Sequence, residues 1–157
     1  MFKTVLVPLD GSVNAECTLS NVKHLAKEGS IGEVILFNDA EINFPLSAIH
    51  PDDIIYGNDY DFQAFRQAIL DKANSYLDRL EVQLKSEGIN VKSVVMEGNS
   101  PAQDIADFAQ KNGVELIVLA THGYTGLKRM LLGSVAFKVL QLSPIPVLLI
   151  RPESCRI

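Results

Sequence analysis

The chain alternates short apolar runs rich in β-branched residues with longer segments whose apolar positions recur every three or four residues. The short runs are typical of strands buried on both faces, and the longer segments of helices that pack one face against a sheet. Their regular alternation predicts a parallel sheet covered by helices on both faces, with five strands and four helices. The predicted strands are Val5–Val7, Val34–Phe37, Val91–Met96, Leu116–Leu119 and Pro146–Ile150.

Each predicted helix carries its own signals. The first has apolar residues at helical spacing and ends before Gly29. The third begins with Ser100 as N-cap, Pro101 at the first helical position and Gln103 closing a capping box. The fourth covers Ser134–Gln141. The second is the longest and ends at Gly88; its predicted buried stripe consists of Phe65, Ile69, Ala73, Tyr76, Leu80 and Leu84.

The hydrophobic period disappears between Ala40 and Asp61, where Pro45, Pro51 and Gly57 interrupt the chain. We predict a long surface loop here, and loops of this length are usually functional or mobile. No repeat, low-complexity segment or linker divides the rest. Residues 1–157 are therefore predicted to form a single domain.

Composition narrows the class of protein. The formal charge of −5, without a basic run, argues against nucleic acid as a partner. No apolar stretch approaches the roughly 20 residues that span a bilayer, and the N-terminus lacks the pattern of a secretory signal. Cys17 and Cys155 lie far apart without neighbouring metal ligands, which favours free thiols in a reducing compartment. We expect a cytoplasmic protein that does not bind membranes.

Ligands of open α/β sheets bind beyond the carboxyl ends of the strands, so polar residues directly after a strand are candidate site residues. The first group is Pro8, Leu9, Asp10 and Ser12. Asp10 can accept a hydrogen bond from a ribose hydroxyl, and Ser12 can cap a helix whose N-terminus favours anions. The alternative is that Asp10 and Ser12 are ordinary turn and cap residues.

The second group follows the fourth strand. Glycines in this loop would let backbone amides approach a phosphate closely, and Lys128 and Arg129 would add positive charge. An ordinary strand-to-helix loop is the alternative, and His122 without a second ligand is weak evidence for a metal. The residues of this group are Ala120, Thr121, His122, Gly123, Gly126, Gly133 and Ser134.

The third group is Asn38 and Asp39, two polar residues that follow an entirely apolar strand. They either reach a ligand or simply begin the next loop. The sequence has no P-loop, no dinucleotide-binding glycine turn after the first strand and no G-x-S-x-G motif. Nothing in it combines a nucleophile with a base and an orienting group, so we predict no catalytic residues and no protein-bound metal.

Taken together, these segments resemble the universal stress protein family in its nucleotide-binding branch. Ala120 and Gly123, followed after nine residues by Gly133-Ser134, resemble the family signature G-x2-G-x9-G-[ST]. The segments FKTVLVPLDGS, GNSPAQDIADFAQKNGVELIVLATHG and THGYTGLKRMLLGSVAFKVLQLSPIPVLLIRP also resemble it, so that the likeness covers nearly the whole chain and is weakest across residues 40–61.

The resemblance implies a sheet in the order 3-2-1-4-5 and ATP bound at the ends of strands 1 and 4. It assigns Pro8, Leu9 and Asp10 to the adenosine. It assigns residues 120–123 and 133–135, the last of which is Val135, to ribose and phosphates, with backbone amides of Gly123, Gly133 and Ser134 on the phosphates. Ala120 replaces the first signature glycine, and Asp39 stands where the family has an aliphatic residue against the adenine.

The resemblance therefore predicts a nucleotide-dependent stress sensor or regulator that hydrolyses ATP slowly at most. Mg²⁺ or Mn²⁺ would be bound mainly through the phosphates. It also implies a homodimer through the strand Pro146–Ile150, whose apolar edge favours pairing. We expect antiparallel contact about a twofold axis through Val147 and Leu149. One alternative is a dimeric interaction module of the same fold without nucleotide. The other is an adenylating PP-loop synthetase, which needs a Ser-Gly-Gly-rich loop where this chain has Asp10-Gly11-Ser12.

Overall fold

The chain forms one parallel sheet of five strands in the order β3-β2-β1-β4-β5, as the resemblance implied. A computed structural model describes residues 1–43, 59–122 and 132–152. The strands are β1 (Phe2–Pro8), β2 (Ile31–Glu41), β3 (Val91–Gly98), β4 (Leu116–Ala120) and β5 (Val147–Ile150). The helices are α1 (Val13–Glu16), α2 (Thr18–Lys27), α3 (Asp59–Ser86), α4 (Pro101–Lys111) and α5 (Ser134–Leu142).

β1 is the central strand, and its apolar residues supply both halves of the core. Val5 and Val7 face α2 and α3, whereas Leu6 between them faces α4 and α5, because side chains alternate along a strand. All three are completely buried. This two-sided burial explains why the predicted strands are apolar throughout rather than at alternate positions.

The predicted loop over residues 40–61 is shorter at both ends in the structure. β2 continues through Ala40 and Glu41 because both pair with β3, and Ala40 is buried. α3 already begins at Asp59. The interruption of the hydrophobic period therefore begins before β2 ends, and residues 44–58 lie outside the described residues.

The capping box predicted for α4 does not form as expected. Ser100 is the N-cap residue, but its side chain makes no capping hydrogen bond. Asp104 Oδ2 instead accepts a hydrogen bond from the Ser100 amide at 3.1 Å, and Gln103 donates to Asp107 at 2.9 Å. A carboxylate one residue further along the helix thus replaces Gln103 as the acceptor.

α3 buries Leu80 and Leu84 as predicted, while Phe65, Ile69, Ala73 and Tyr76 are only partly buried. The sequence analysis missed Leu77, which is completely buried against the core on this side of the sheet. Two ion pairs to Glu87, from Lys23 at 2.6 Å and from Lys27 at 3.0 Å, join α2 to the end of α3. No helix within the described residues is long and apolar enough to cross a membrane.

We predict that Leu77→Ala lowers the free energy of unfolding by about 2–5 kcal/mol, since it leaves a cavity in a closely packed core. Val82→Ala on the same helix is the control, because Val82 is 68 % exposed and such surface changes stay within about 0.5 kcal/mol. Urea unfolding measures both. Equal effects of the two substitutions would contradict the packing described here.

Candidate functional site

The strand order reverses at β1, and this reversal creates a crevice at one edge of the sheet. β1 pairs with β2 on one side and with β4 on the other, and the helices that follow these strands lie on opposite faces. In such sheets the crevice opens beyond the carboxyl ends of the strands. The ends of β1, β2 and β4 bring residues 8–12, Asp39 and residues 120–122 to this same edge.

The turn after β1 is held by its own polar side chains. Asp10 Oδ1 accepts a hydrogen bond from the Ser12 amide at 2.9 Å, and Ser12 Oγ accepts one from the Ala15 amide at 3.1 Å. Gly11 has a φ of +81°, a conformation that favours glycine. Asp10 and Ser12 therefore have turn and cap roles in this structure.

Leu9 anchors this turn to β2. Its amide donates to the Phe37 carbonyl at 2.8 Å, and its carbonyl accepts from Asn38 Nδ2 at 2.7 Å. The Leu9 side chain is buried. Asn38 thus has a structural partner in the turn after β1.

Tyr76 of α3 lies near Asp10 of this turn and near Glu16 of α1. Arg79 lies 5.7 Å from the centre of the Tyr76 ring and 3.7 Å from Glu16 of α1. Burial raises the pKa of the Tyr76 phenol, and the carboxylates of Glu16 and Asp10 raise it further. The phenol is therefore neutral at physiological pH and adds no charge beneath the turn.

The end of β4 lies directly against the start of α5. The Thr121 amide donates to the Ile150 carbonyl at 2.8 Å, and the Thr121 carbonyl accepts from the Gly133 amide at 2.6 Å. Thr121 Oγ1 and His122 Nδ1 are 3.0 Å apart, within hydrogen-bonding distance. Ala120 is buried in β4, and no described residue other than glycine has a positive φ. Alanine in place of the first signature glycine therefore causes no backbone strain.

Gly133 suits this close approach. A β-carbon on it would lie 3.0 Å from the Thr121 carbonyl oxygen, which is tighter than ordinary packing, and 3.5 Å from His122 Cα, which is ordinary contact. In this structure the Gly133 amide, which the resemblance assigns to a phosphate, donates its hydrogen to the Thr121 carbonyl. Gly123 and Gly126 lie outside the described residues.

The first turn of α5 presents backbone donors. Phe137 is the first residue of the helix whose amide is bonded to the preceding turn, at 2.9 Å from the Gly133 carbonyl. The amides of Ser134, Val135 and Ala136 have no acceptor among the described residues. Such amides, together with the helix dipole, favour an anion.

Asp39 lies at the end of β2 beside Asp104 of α4. Gly98 makes this contact possible, because a β-carbon there would overlap both carboxyl groups. Both oxygens of Asp39 are buried and have no hydrogen-bond partner among the described residues. Burial raises the pKa of Asp39 from 3.8 to about 7, and the negative charges of Asp104 and then Glu41 contribute to the shift.

The sequence analysis named Asp39 but missed Asp104 and Gly98. Asp104 lies near the N-terminus of a predicted helix, where acidic residues are common because their negative charge interacts favourably with the helix dipole. Its contact with Asp39 depends on β2 and β3 being neighbours. Periodicity does not reveal that neighbourhood. Within the described ranges, no cluster of three or more His, Cys, Asp or Glu side chains could hold a metal ion. The Cys17 thiol donates to the Pro152 carbonyl at 3.7 Å, and Cys155 lies outside those ranges.

We predict that Asp39 makes the parent protein less stable as the pH rises from about 4 to about 7. The folded state keeps its proton up to about pH 7, whereas the unfolded chain loses it near 3.8, so the folded state binds more protons throughout this interval. Asp39→Asn, which cannot ionise, should remove this decrease. Urea unfolding at several pH values measures it, with the exposed Asp78→Asn as control. Parallel pH profiles of the parent and Asp39→Asn would refute the assignment.

Comparison with known proteins agrees with the fold. A sequence model described as the universal stress protein family matches residues 1–151. Universal stress protein YxiE of Bacillus subtilis is 33 % identical over 151 residues, covering 96 % of this chain and 100 % of the relative. Universal stress protein MJ0577 of Methanocaldococcus jannaschii is 30 % identical over 164 residues, covering 98 % of both chains.

Solved structures extend the likeness to three dimensions. The structure of MJ0577 superposes with a TM-score of 0.79 at 29 % identity, over 96 % of each chain. A universal stress protein family protein of Arabidopsis thaliana, solved with AMP bound, superposes with a TM-score of 0.65 at 14 % identity and shares the fold, over 95 % of this chain and 91 % of that one. The match of nearly the entire length to the family, in sequence and in strand order, shows that this chain belongs to the universal stress protein family.

Proposed function

We propose that this protein binds ATP in the crevice beside β1 and acts as a nucleotide-dependent sensor or regulator in a stress response. The observation that carries this proposal is the set of unbonded amides at the start of α5, located where the strand order reverses. Backbone donors at a helix N-terminus suit phosphate oxygens. The AMP-bound relative gives independent support for an adenine nucleotide as the ligand class.

In this proposal the two ends of the crevice bind different parts of the nucleotide. Pro8, Leu9, Asp10 and Ser12 adjoin the adenosine, with Asp39 near the base. The loop after β4 and the first turn of α5 hold ribose and phosphates through Ala120, Thr121, His122, Gly123, Gly126, Gly133, Ser134 and Val135. Gly133 would leave room for the phosphates, since its own amide is bonded to Thr121. The amides of residues 134–136 would donate hydrogen bonds to the phosphate oxygens.

Mg²⁺ or Mn²⁺ would be held mainly by the phosphate oxygens in this arrangement. The described residues offer no cluster of protein ligands for it. The sequence combines no nucleophile with a base and an orienting group. We therefore propose that hydrolysis is slow at most and that the bound nucleotide acts as a signal. A cytoplasmic location would fit such a role.

We expect ATP with Mg²⁺ to raise the melting temperature, because a ligand at a hundredfold excess over Kd stabilises the native state by about 2.7 kcal/mol. Ser134→Ala removes one hydroxyl beside the phosphates and should weaken ATP about ten- to a hundredfold. Gly133→Val should abolish binding, since its side chain would press on Thr121. Isothermal titration calorimetry measures both affinities.

Ser75→Ala is the matched control, because Ser75 is exposed on α3 across the sheet from the site. Each variant is first melted without nucleotide, so that a folding defect is separated from a binding defect. Wild-type affinity in both Gly133→Val and Ser134→Ala would refute the phosphate placement. If ATP at millimolar concentration neither binds nor stabilises the parent, the proposed function itself fails.

A dimeric interaction module without nucleotide is the second candidate, and the surface of α5 favours it. Phe137 is 51 % exposed and Leu140 44 % exposed, although both are large apolar residues. Apolar surface of this kind is typical of a protein contact. Both candidates share a homodimer, which we propose forms through residues 146–150, and the ATP titration separates them.

The structure changes which side chain of β5 should make the dimer contact. Val147 and Leu149 are partly buried against the core beside α4 and α5, whereas Leu148 is 37 % exposed. β5 pairs with β4, and no second strand pairs with it in the described part of the chain. A free apolar edge of this kind can meet its copy about a twofold axis.

We predict a dimer at micromolar concentration that Leu148→Lys converts to monomer, because two lysines would face each other across the twofold axis. Val82→Lys places the same charge on exposed α3 and should leave the dimer intact. Light scattering after size-exclusion chromatography measures the mass. A monomeric parent, or a Leu148→Lys variant that remains dimeric, would contradict this interface.

A further inference from the structure

We propose that Asp39 reads the base edge of the bound nucleotide, and that the proton it holds against Asp104 selects between an adenine edge and a guanine edge. This inference rests on the proposed nucleotide site. It goes further, because it assigns base specificity to a pair of carboxyl groups and makes that specificity depend on pH.

The position of Asp39 suits a contact with the base. Ile35 and Phe37 of β2 face α4 and α5. Asp39 lies two residues after Phe37 and therefore belongs to the same face of the strand. Its contact with Asp104 of α4 places its carboxyl on the same face. α5, whose first turn meets Thr121, packs on that face as well. The phosphate donors and the carboxyl pair therefore flank one crevice.

The spacing agrees with a nucleotide that lies across the strands. β2 and β4 are separated by β1 alone, so their ends are two strand spacings apart, about 10 Å. This is comparable with the length of a nucleoside. A nucleotide with its phosphates at α5 and its ribose over β1 would bring its base to the end of β2. Asp39 lies at that end of the crevice.

The carboxyl of Asp39 lacks the partners that buried polar groups normally have. Its two oxygens are buried without a hydrogen-bond partner among the described residues. Leaving such atoms unsatisfied costs free energy, so an unpaired buried group needs a reason. Gly98 lets the two carboxyl groups pack here, because a β-carbon on it would overlap both Asp39 Oδ1 and Asp104 Oδ2. The polar edge of a base would supply the missing hydrogen bonds.

The charges around Asp39 keep a proton on the pair. Asp104 faces it from α4, and Glu41 acts on it from β2 itself. On β3, Met96 is its neighbour in the sheet, and Glu97 is engaged with Arg66 of α3. In the described part of the chain, no lysine, arginine or histidine forms an ion pair with Asp39 or Asp104. Two carboxyl groups without a cation cannot easily both be ionised.

The two protonation states recognise different bases. A neutral carboxylic acid offers one O–H donor and one carbonyl acceptor, whereas a carboxylate only accepts. The adenine edge pairs an amino donor with a ring-nitrogen acceptor, which matches the neutral acid as it matches Asn or Gln. The Watson–Crick edge of guanine offers two adjacent N–H donors, which match the carboxylate. Because the pKa of Asp39 is raised to about 7, both forms occur near physiological pH.

The test is the ratio of the GTP and ATP dissociation constants at about pH 6 and about pH 8, measured by calorimetry with Mg²⁺. The phosphates of the two nucleotides titrate alike, so the ratio isolates the base. We expect the preference for ATP to fall about tenfold between these pH values, the discrimination that a bidentate contact provides. Exposed Asp78→Asn on α3 is the control and should reproduce the parent.

Two variants separate base recognition from a general effect of pH. Asp39→Asn always offers a donor and an acceptor, so it should prefer ATP equally at both pH values. Asp104→Asn removes the facing charge while its amide oxygen can still accept from Ser100, and it should move the change in preference to lower pH. Even if Asp39→Asn fails to fold, the parent and Asp104→Asn decide the question.

The outcomes distinguish this inference from the function on which it rests. If ATP and GTP bind with a ratio that does not change with pH, the inference is overturned and the nucleotide site stands. A pH-dependent ratio that persists unchanged in Asp39→Asn also overturns it. If neither nucleotide binds the parent at either pH, the inference and the proposed function fail together.

Discussion

The burial of β1 between β2 and β4 is the constraint on which the rest of the molecule depends. Val5, Leu6 and Val7 are completely buried, and they fill the core on both faces of the sheet at once. The strand can therefore be neither at an edge nor exposed on one side. With β1 in the centre, the helices divide between the faces, and the polar residues that end β1, β2 and β4 meet at one edge. The crevice is a consequence of this packing.

Sequence patterns predict those parts of the fold that depend on local burial. The apolar run Val34–Phe37 predicts a strand that is buried on both faces, and the structure has such a strand there. Features that depend on contacts between distant segments are different. Leu77 is as apolar as its neighbours on α3, and only the position of the helix against the sheet explains why it is completely buried while Phe65 is not.

The candidate site shows the same division. Ser12 and Asp10 have their roles in hydrogen bonds over two or three residues, so their turn chemistry could be inferred from the sequence. The hydrogen bond from Gly133 to Thr121 joins residues that are twelve apart in the sequence. The contact between Asp39 and Asp104 joins β2 to α4. The strand order 3-2-1-4-5, which brings Asp39 and Asp104 together, came from the resemblance to a family and not from periodicity.

Gly133 illustrates how a structural and a functional requirement can act on one residue. The bond from its amide to Thr121 draws α5 against the end of β4, and the absence of a side chain permits this approach. The same approach aims the next three amides of the helix toward the edge of the sheet. A glycine that serves only packing would be compatible with the interaction-module alternative. In the nucleotide-binding proposal, its packing role is the means by which the donors of residues 134–136 are positioned.

Asp39 and Asp104 present the opposite case, because packing alone gives no reason for them. An aliphatic residue at position 39 would continue the apolar face of Ile35 and Phe37 and would avoid a buried carboxyl without hydrogen bonds. The acid makes the folded state less stable wherever the unfolded chain is ionised and the folded chain is not. A residue that weakens the fold at physiological pH is more readily explained by a ligand than by the core. Its location near the end of β2, at the edge where we propose that the nucleotide lies, indicates which ligand surface it would meet.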